Sequence, residues 1–98
     1  MKSEINSLEL EIGTDLLPIG TVVSVEVVKQ AVMIYGRKQQ QEDNDIIWDY
    51  VGCPYPQGHL SHETNVFFNQ NQIIKVEYRG LETKGELFLR DKLNQLDR

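Results

Sequence analysis

Five side chains able to do chemistry, Asp49, Cys53, His59, His62 and Glu63, fall within one short stretch of the chain. A cysteine nucleophile needs a base within hydrogen-bond reach and an electropositive setting that favours the thiolate. Here the local charges are the carboxylates of Asp49 and Glu63, and Pro54 removes a backbone donor that an oxyanion would use. These residue types favour a plainer reading, in which Cys53 is a small buried hydrophobe ending a strand. As metal ligands, Cys53, His59 and His62 follow a C-x5-H-x2-H spacing that matches none of the usual zinc patterns. A fourth ligand would have to come from Asp49 or Glu63, and two histidines in a polar turn are more often simply solvated. Glu42, Asp43 and Asp45 cluster in a polar connection where solvation explains them. No glycine-rich phosphate loop, G-x-S-x-G elbow or H-E-x-x-H pair occurs. The expectation is a protein with no enzymatic activity, no catalytic residues, no cofactor and no metal.

The same stretch reads better as conformational and surface chemistry. In "DYVGCPYPQG", residues 49–58, Gly52 allows a bulge or a positive φ at a strand end, and Pro54 and Pro56 stiffen the exit. The Tyr55–Pro56 bond is of the kind that can be cis in a tight turn, and Gly58 lets the chain reverse. A rigid turn of this sort displays aromatic area at low entropy cost. Tyr50, Tyr55, Pro56 and His59 are therefore the candidate partner-binding residues. Trp48 and Phe68 are expected to point inward from their strands.

The elements that must position this turn are legible in the rest of the chain. With 98 residues, the protein is one small domain, and a deep substrate cavity is hard to carve from so small a core. Fifteen acidic residues against ten basic ones give a net charge of −5, which disfavours nucleic acid as a partner. Basic residues come as short pairs such as Arg37–Lys38 and form no stripe. A single cysteine rules out an internal disulfide and fits a reducing compartment. Glutamates interrupt the N-terminal stretch where a signal peptide would be apolar, and "TVVSVEVV" is far too short to span a bilayer. The expectation is a cytoplasmic protein without membrane contact.

Residues 1–13 alternate weakly and read as an N-terminal arm or edge strand. Residues 14–80 read as an antiparallel β domain and residues 81–98 as a C-terminal amphipathic helix packed on it. The first strand is expected over Thr21–Val28 with Val23, Val25 and Val27 on one face. "AVMIYGRKQ", "IIWDYVGC" and "NVFFN" supply three more. "IIKVEYR" supplies the fifth, with Ile74, Val76 and Tyr78 inward and Lys75, Glu77 and Arg79 outward. "NQNQ" before it suits a single tight turn. Thr83 and Glu86 have capping-box spacing, Leu89, Leu93 and Leu96 share a helical face, and Glu86 and Arg90 form an i,i+4 pair. The predicted fold is mainly β with one C-terminal helix, an α+β domain built as a small, strongly bent antiparallel sheet or an SH3-like barrel of about five strands. The barrel is favoured because a one-turn helix often precedes the last strand of that fold.

"LLPIGTVV", "VMIYGRKQ", "WDYVGCPYPQG", "FFNQNQI" and "VEYRG" occur in this order over residues 16–80. In this the chain resembles a short uncharacterised family of Gram-positive bacteria encoded beside LXG toxins of the type VII secretion system. It departs from the pattern at Glu26–Gln30, where a glycine-containing hairpin turn is expected. The resemblance implies a non-enzymatic chaperone or adaptor that binds such a toxin or its helical targeting partners before export. It carries no catalytic residues and no cofactor. Two other functions are weighed beside it: an immunity protein for such a toxin, and a small-barrel nucleic-acid-binding domain using Arg37, Lys38 and Lys75 beside exposed aromatics.

Overall fold

The computed structural model describes residues 10–41 and 45–96. Its five strands are β1 (Val22–Val25), β2 (Val32–Gln40), β3 (Ile47–Pro54), β4 (Val66–Phe68) and β5 (Ile73–Tyr78), followed by helix α1 (Lys84–Asn94). All strand pairs are antiparallel and the spatial order is β4-β3-β2-β1-β5. The fold is therefore the mainly β domain with one C-terminal helix that the sequence predicts. Short 3-10 turns at His62–Thr64 and Gln70–Gln72 precede β4 and β5. Among the described residues β4 and β5 do not pair, so the sheet is bent rather than closed. The bending is visible in the core: Phe68 of β4 and Ile73 and Val76 of β5 come from opposite ends of the sheet, yet pack in one cluster with Val23, Val25, Ile34 and Tyr50.

Irregular pairing explains where the strand expectations miss. The first strand stops at Val25 and the chain turns at Glu26–Val27, so Val27 is exposed and does not continue the inward face. Between β1 and β5, Ser24 pairs with Lys75 but Val25 pairs with Ile73, and a second shift follows Val22. Each shift inserts a residue and changes parity. Ile73 and Val76 are consequently the buried pair of β5, while Ile74 and Tyr78, expected inward, are exposed. Phe68 is fully buried and Trp48 half-buried.

A third shift has wider effects. β2 and β3 pair Ile34↔Gly52 and then Gly36↔Val51, leaving Tyr35 as an extra residue. Before this bulge the even positions Val32 and Ile34 face the core; after it the odd position Arg37 does, directly opposite Tyr50. Gly52 lies across from the bulge, and its value is close approach rather than unusual φ. A Cβ there would sit 2.3 Å from the Val32 side chain and 2.8 Å from the Met33 carbonyl oxygen.

The N-terminal segment is tied to this sheet by buried polar groups. Leu10 bridges to Val76, and residues 1–9 of the predicted arm lie outside the described residues. Leu17 N–H donates to the Tyr50 hydroxyl at 2.9 Å, and that hydroxyl donates to Gln70 Oε1. Gln70 Nε2 in turn donates to the carbonyls of Ile12 and Gly13 at 3.2 and 3.1 Å. Asp49 accepts from the Gln70 N–H, and the Asp49 N–H donates to the Asn69 side chain, each at 2.9 Å. The "NQNQ" turn thus works chiefly through side chains reaching across the sheet. Tyr50→Phe leaves the Leu17 N–H without its acceptor in the core and should cost roughly 1–3 kcal/mol. Urea unfolding would measure this, and an unchanged midpoint would show that the hydroxyl is not structural.

Candidate partner-binding site

The residues that could have formed a reactive centre are placed apart. Cys53 is on β3 and only 1% exposed, and burial pushes its thiol above the ordinary value. His59 and His62 are exposed. His59 Nδ1 lies 3.2 Å from Asn65 Oδ1, which also accepts from the Tyr35 hydroxyl at 2.6 Å, and the His59 and Tyr35 rings meet edge-on. Asp49 is committed to the turn before β5 and to Lys38 Nζ at 3.4 Å. Among the described residues no three His, Cys, Asp or Glu side chains gather where a metal ion could be held.

Of the four candidate partner residues, Tyr50 must be withdrawn. It is fully buried, stacks on Phe68 with centroids 5.2 Å apart, and its hydroxyl is pushed up to about 12, first by burial. Its inward direction follows from the same parity that buries Phe68 opposite it. Tyr55, Pro56 and His59 are exposed. The Tyr55–Pro56 peptide is cis. The turn is pinned by Gly58 N–H to the Pro54 carbonyl at 2.7 Å, Tyr55 N–H to the Ala31 carbonyl at 2.9 Å, and Gln30 Nε2 to the Tyr55 carbonyl at 2.9 Å. Tyr55 is thus held out on a backbone with little freedom to lose.

A second surface was not foreseen. The leucine stripe of α1 was expected to bury itself, but the buried residue of this helix is Arg90. Leu93 reaches the core, while Leu87, Phe88, Leu89 and Leu96 are all about half exposed or more. Charge, not leucine, sets the helix rotation. Arg37, its side chain 2% exposed, donates to both carboxylate oxygens of Glu86 at 2.6 and 2.7 Å and to the Leu17 carbonyl at 3.2 Å. Arg90 donates to Glu86 from Nε and from a terminal nitrogen, and also to Glu82, which Arg79 holds at 2.9 Å. Asp15 lies 3.6 Å from Arg90 and accepts from Asn94 at 2.9 Å. With Glu86 and Arg90 inward, Leu87 and Leu89 are turned roughly a quarter turn away on either side at 100° per residue, Phe88 points outward with Lys92 Nζ 5.3 Å from its ring centroid, and Leu96 lies beyond the end of the helix. Thr83 caps the helix by accepting from the Glu86 N–H at 3.1 Å, which is one half of the expected capping box; the Glu86 side chain accepts from Arg37 and Arg90 instead of reaching back to Thr83.

The network also removes the basic pair read from the sequence as a possible contact to nucleic acid. Arg37 is buried against Glu86, and the Lys38 side chain is 5% exposed beside Asp49. Both cations are engaged within the molecule.

A family model described as a domain of unknown function (DUF4176) matches residues 16–89. The chain belongs to this family. The DUF4176 match begins at the buried Leu16–Leu17 pair and runs past Glu86, so it takes in both the sheet and the ion pair that docks α1. No curated protein and no solved structure matches the chain.

Two predictions follow from these placements. Burial alone would raise the Glu86 carboxyl, but hydrogen bonds from Arg37 and Arg90 outweigh it and hold it below its ordinary value. The Arg79 and Arg90 guanidiniums hold Glu82 down at about 2. A lowered carboxylate stabilises the folded state above the ordinary glutamate value of 4.5, and that contribution is lost as pH falls through its lowered folded-state value. Glu86→Gln should cost roughly 3 kcal/mol near neutral pH, because it leaves a buried guanidinium with one poor partner. In urea titrations the gap from wild type should narrow steadily below about pH 4.5, and a constant gap would refute the clamp. Separately, Cys53 should resist alkylation in the native protein and react at the rate of a free thiol once denaturant unfolds it. Rapid native labelling would contradict its burial.

Proposed function

We propose that this chain is a non-enzymatic accessory protein that binds an LXG toxin of the type VII secretion system, or the toxin's helical targeting partners, in the cytoplasm before export. The secretion context comes from the sequence resemblance to proteins encoded beside such toxins. The observation that carries the binding role is the rotation of α1. A surface helix ordinarily turns its apolar stripe to the core and its charges to water. Here Arg90 and Glu86 face the protein while Phe88 faces outward, with Leu87 and Leu89 half exposed to either side of it. An exposed apolar strip on a fixed helix suits ridges-into-grooves packing with a second helix, which is the shape that helical targeting partners would present. Lys84, Lys92 and the exposed Asp91 border this patch, so its rim is of mixed charge.

The test is co-expression of the tagged protein with the toxin encoded beside it, followed by purification of the complex. Phe88→Asp, at a position 67% exposed, should leave thermal stability within about 0.5 kcal/mol of wild type. The same change should reduce recovery of the toxin or its partners by tenfold or more, on the order of a hot-spot loss. Wild-type protein that recovers neither would defeat the reading. Protection of sensitive cells from the active toxin would replace the escort role with immunity.

A further inference from the structure

The face of the sheet opposite the main core is also apolar at its centre. Val22 pairs with Met33 on one side and with Tyr78 on the other, and Met33 pairs with Cys53. Directly paired residues share a face, so Tyr78, Val22, Met33 and Cys53 form one row across four strands. None of the four belongs to the main core cluster. A groove of about 360 Å³ opens over this row, lined by Gly20, Val22, Met33, Tyr55, Glu77 and Tyr78. Its floor is the buried Val22. Tyr55 and Tyr78, 50% and 64% exposed, contribute aromatic walls.

The groove's construction restricts what can enter. β1 and β2, which supply its floor, are interior strands whose backbone groups are engaged in ladders with neighbours. A ligand lying on their side chains cannot add to the sheet by strand pairing. Its size is at the low end for ligand pockets and too small to seat a helix about 10 Å across. The conformation that needs no ladder and has no internal hydrogen bonds is polyproline II, and aromatic-lined grooves are the surfaces that receive it. Charge gives the second constraint. Among the described residues the one ionic group in the lining is Glu77, and no cation lines the groove. Ser24 orients that carboxylate through a 2.8 Å hydrogen bond, while its contact with Lys75 is long at 3.7 Å and solvent-exposed. Such a pair is worth little and yields to a better-placed cation. Tyr55 stands on the pinned turn after β3, so this wall is preorganised.

We infer that this groove binds an extended peptide segment in the polyproline II conformation, with proline packed between Tyr55 and Tyr78 and a lysine or arginine reaching Glu77. This site is separate from the outward face of α1 and stands whether or not the toxin is the physiological partner.

The test titrates the full chain with a short synthetic proline-rich peptide bearing one arginine, followed by amide chemical shifts and by calorimetry. Shifts should concentrate at residues 20–22, 33, 55 and 77–78. Tyr55→Ala and Tyr78→Ala, both at exposed positions, should each weaken binding about tenfold. Glu77→Gln, which keeps an acceptor for Ser24, should weaken binding of the arginine peptide but not of its glutamine counterpart. No saturable binding at millimolar peptide, shifts confined to α1 or elsewhere, or unchanged affinity in both tyrosine variants would each overturn the inference. Because the shift map uses wild-type protein, a variant that failed to fold would not remove the test. Loss of toxin capture by Phe88→Asp with peptide binding intact would separate the two sites.

Discussion

A guanidinium buried under a helix must be matched or the helix cannot stay there. Arg37 is matched by both oxygens of Glu86 and by the Leu17 carbonyl, and this one side chain joins β2, the segment before β1 and α1. The cost of leaving such a charge unpaired in a dry setting is several kcal/mol, far above what any single exposed leucine gains by turning inward. The helix therefore docks by its acidic and basic residues. Leu87, Phe88 and Leu89 are left at the surface as a result.

The neighbouring charges make this arrangement tolerable. Glu82, Glu86 and Asp15 face Arg37, Arg79 and Arg90, so acids and bases balance within the cluster. Each cation touches a carboxylate whose own proton affinity is depressed by the contact. Leu17 shows how closely the core and the network are joined. Fully buried, it gives its N–H to Tyr50 and takes its carbonyl partner from Arg37. The two side chains that satisfy it stand opposite each other on adjacent strands. A buried peptide group that secondary structure does not satisfy is thus satisfied by the sheet's own inward face.

The molecule consequently carries apolar surface in two unlike settings. On α1 it is convex, fixed in rotation by ion pairs and bordered by Lys84, Asp91 and Lys92. On the sheet it is a shallow groove walled by tyrosines, with an acid at its rim. A convex helical patch and a concave aromatic groove differ in shape, the first suited to packing against a helix and the second to an extended chain.

The alternation of Val23 with Val25, the turn residues from Gly52 to Gly58, the Thr83 cap and the Glu86–Arg90 spacing are local signals, and they determined the number of strands, the stiff turn and the terminal helix. Tyr55, Pro56 and His59 were correctly exposed because turn chemistry is also local. What the sequence did not reveal depends on bulges. One extra residue at Tyr35 reverses parity in β2 and turns Arg37 inward, and the paired shifts in β5 exchange Ile74 and Tyr78 for Ile73 as buried positions. Nothing local marks those insertions, because they arise from how two strands meet. Once Arg37 pointed into the protein, Glu86 had to follow, and only the assembled structure could decide which face of α1 looked outward.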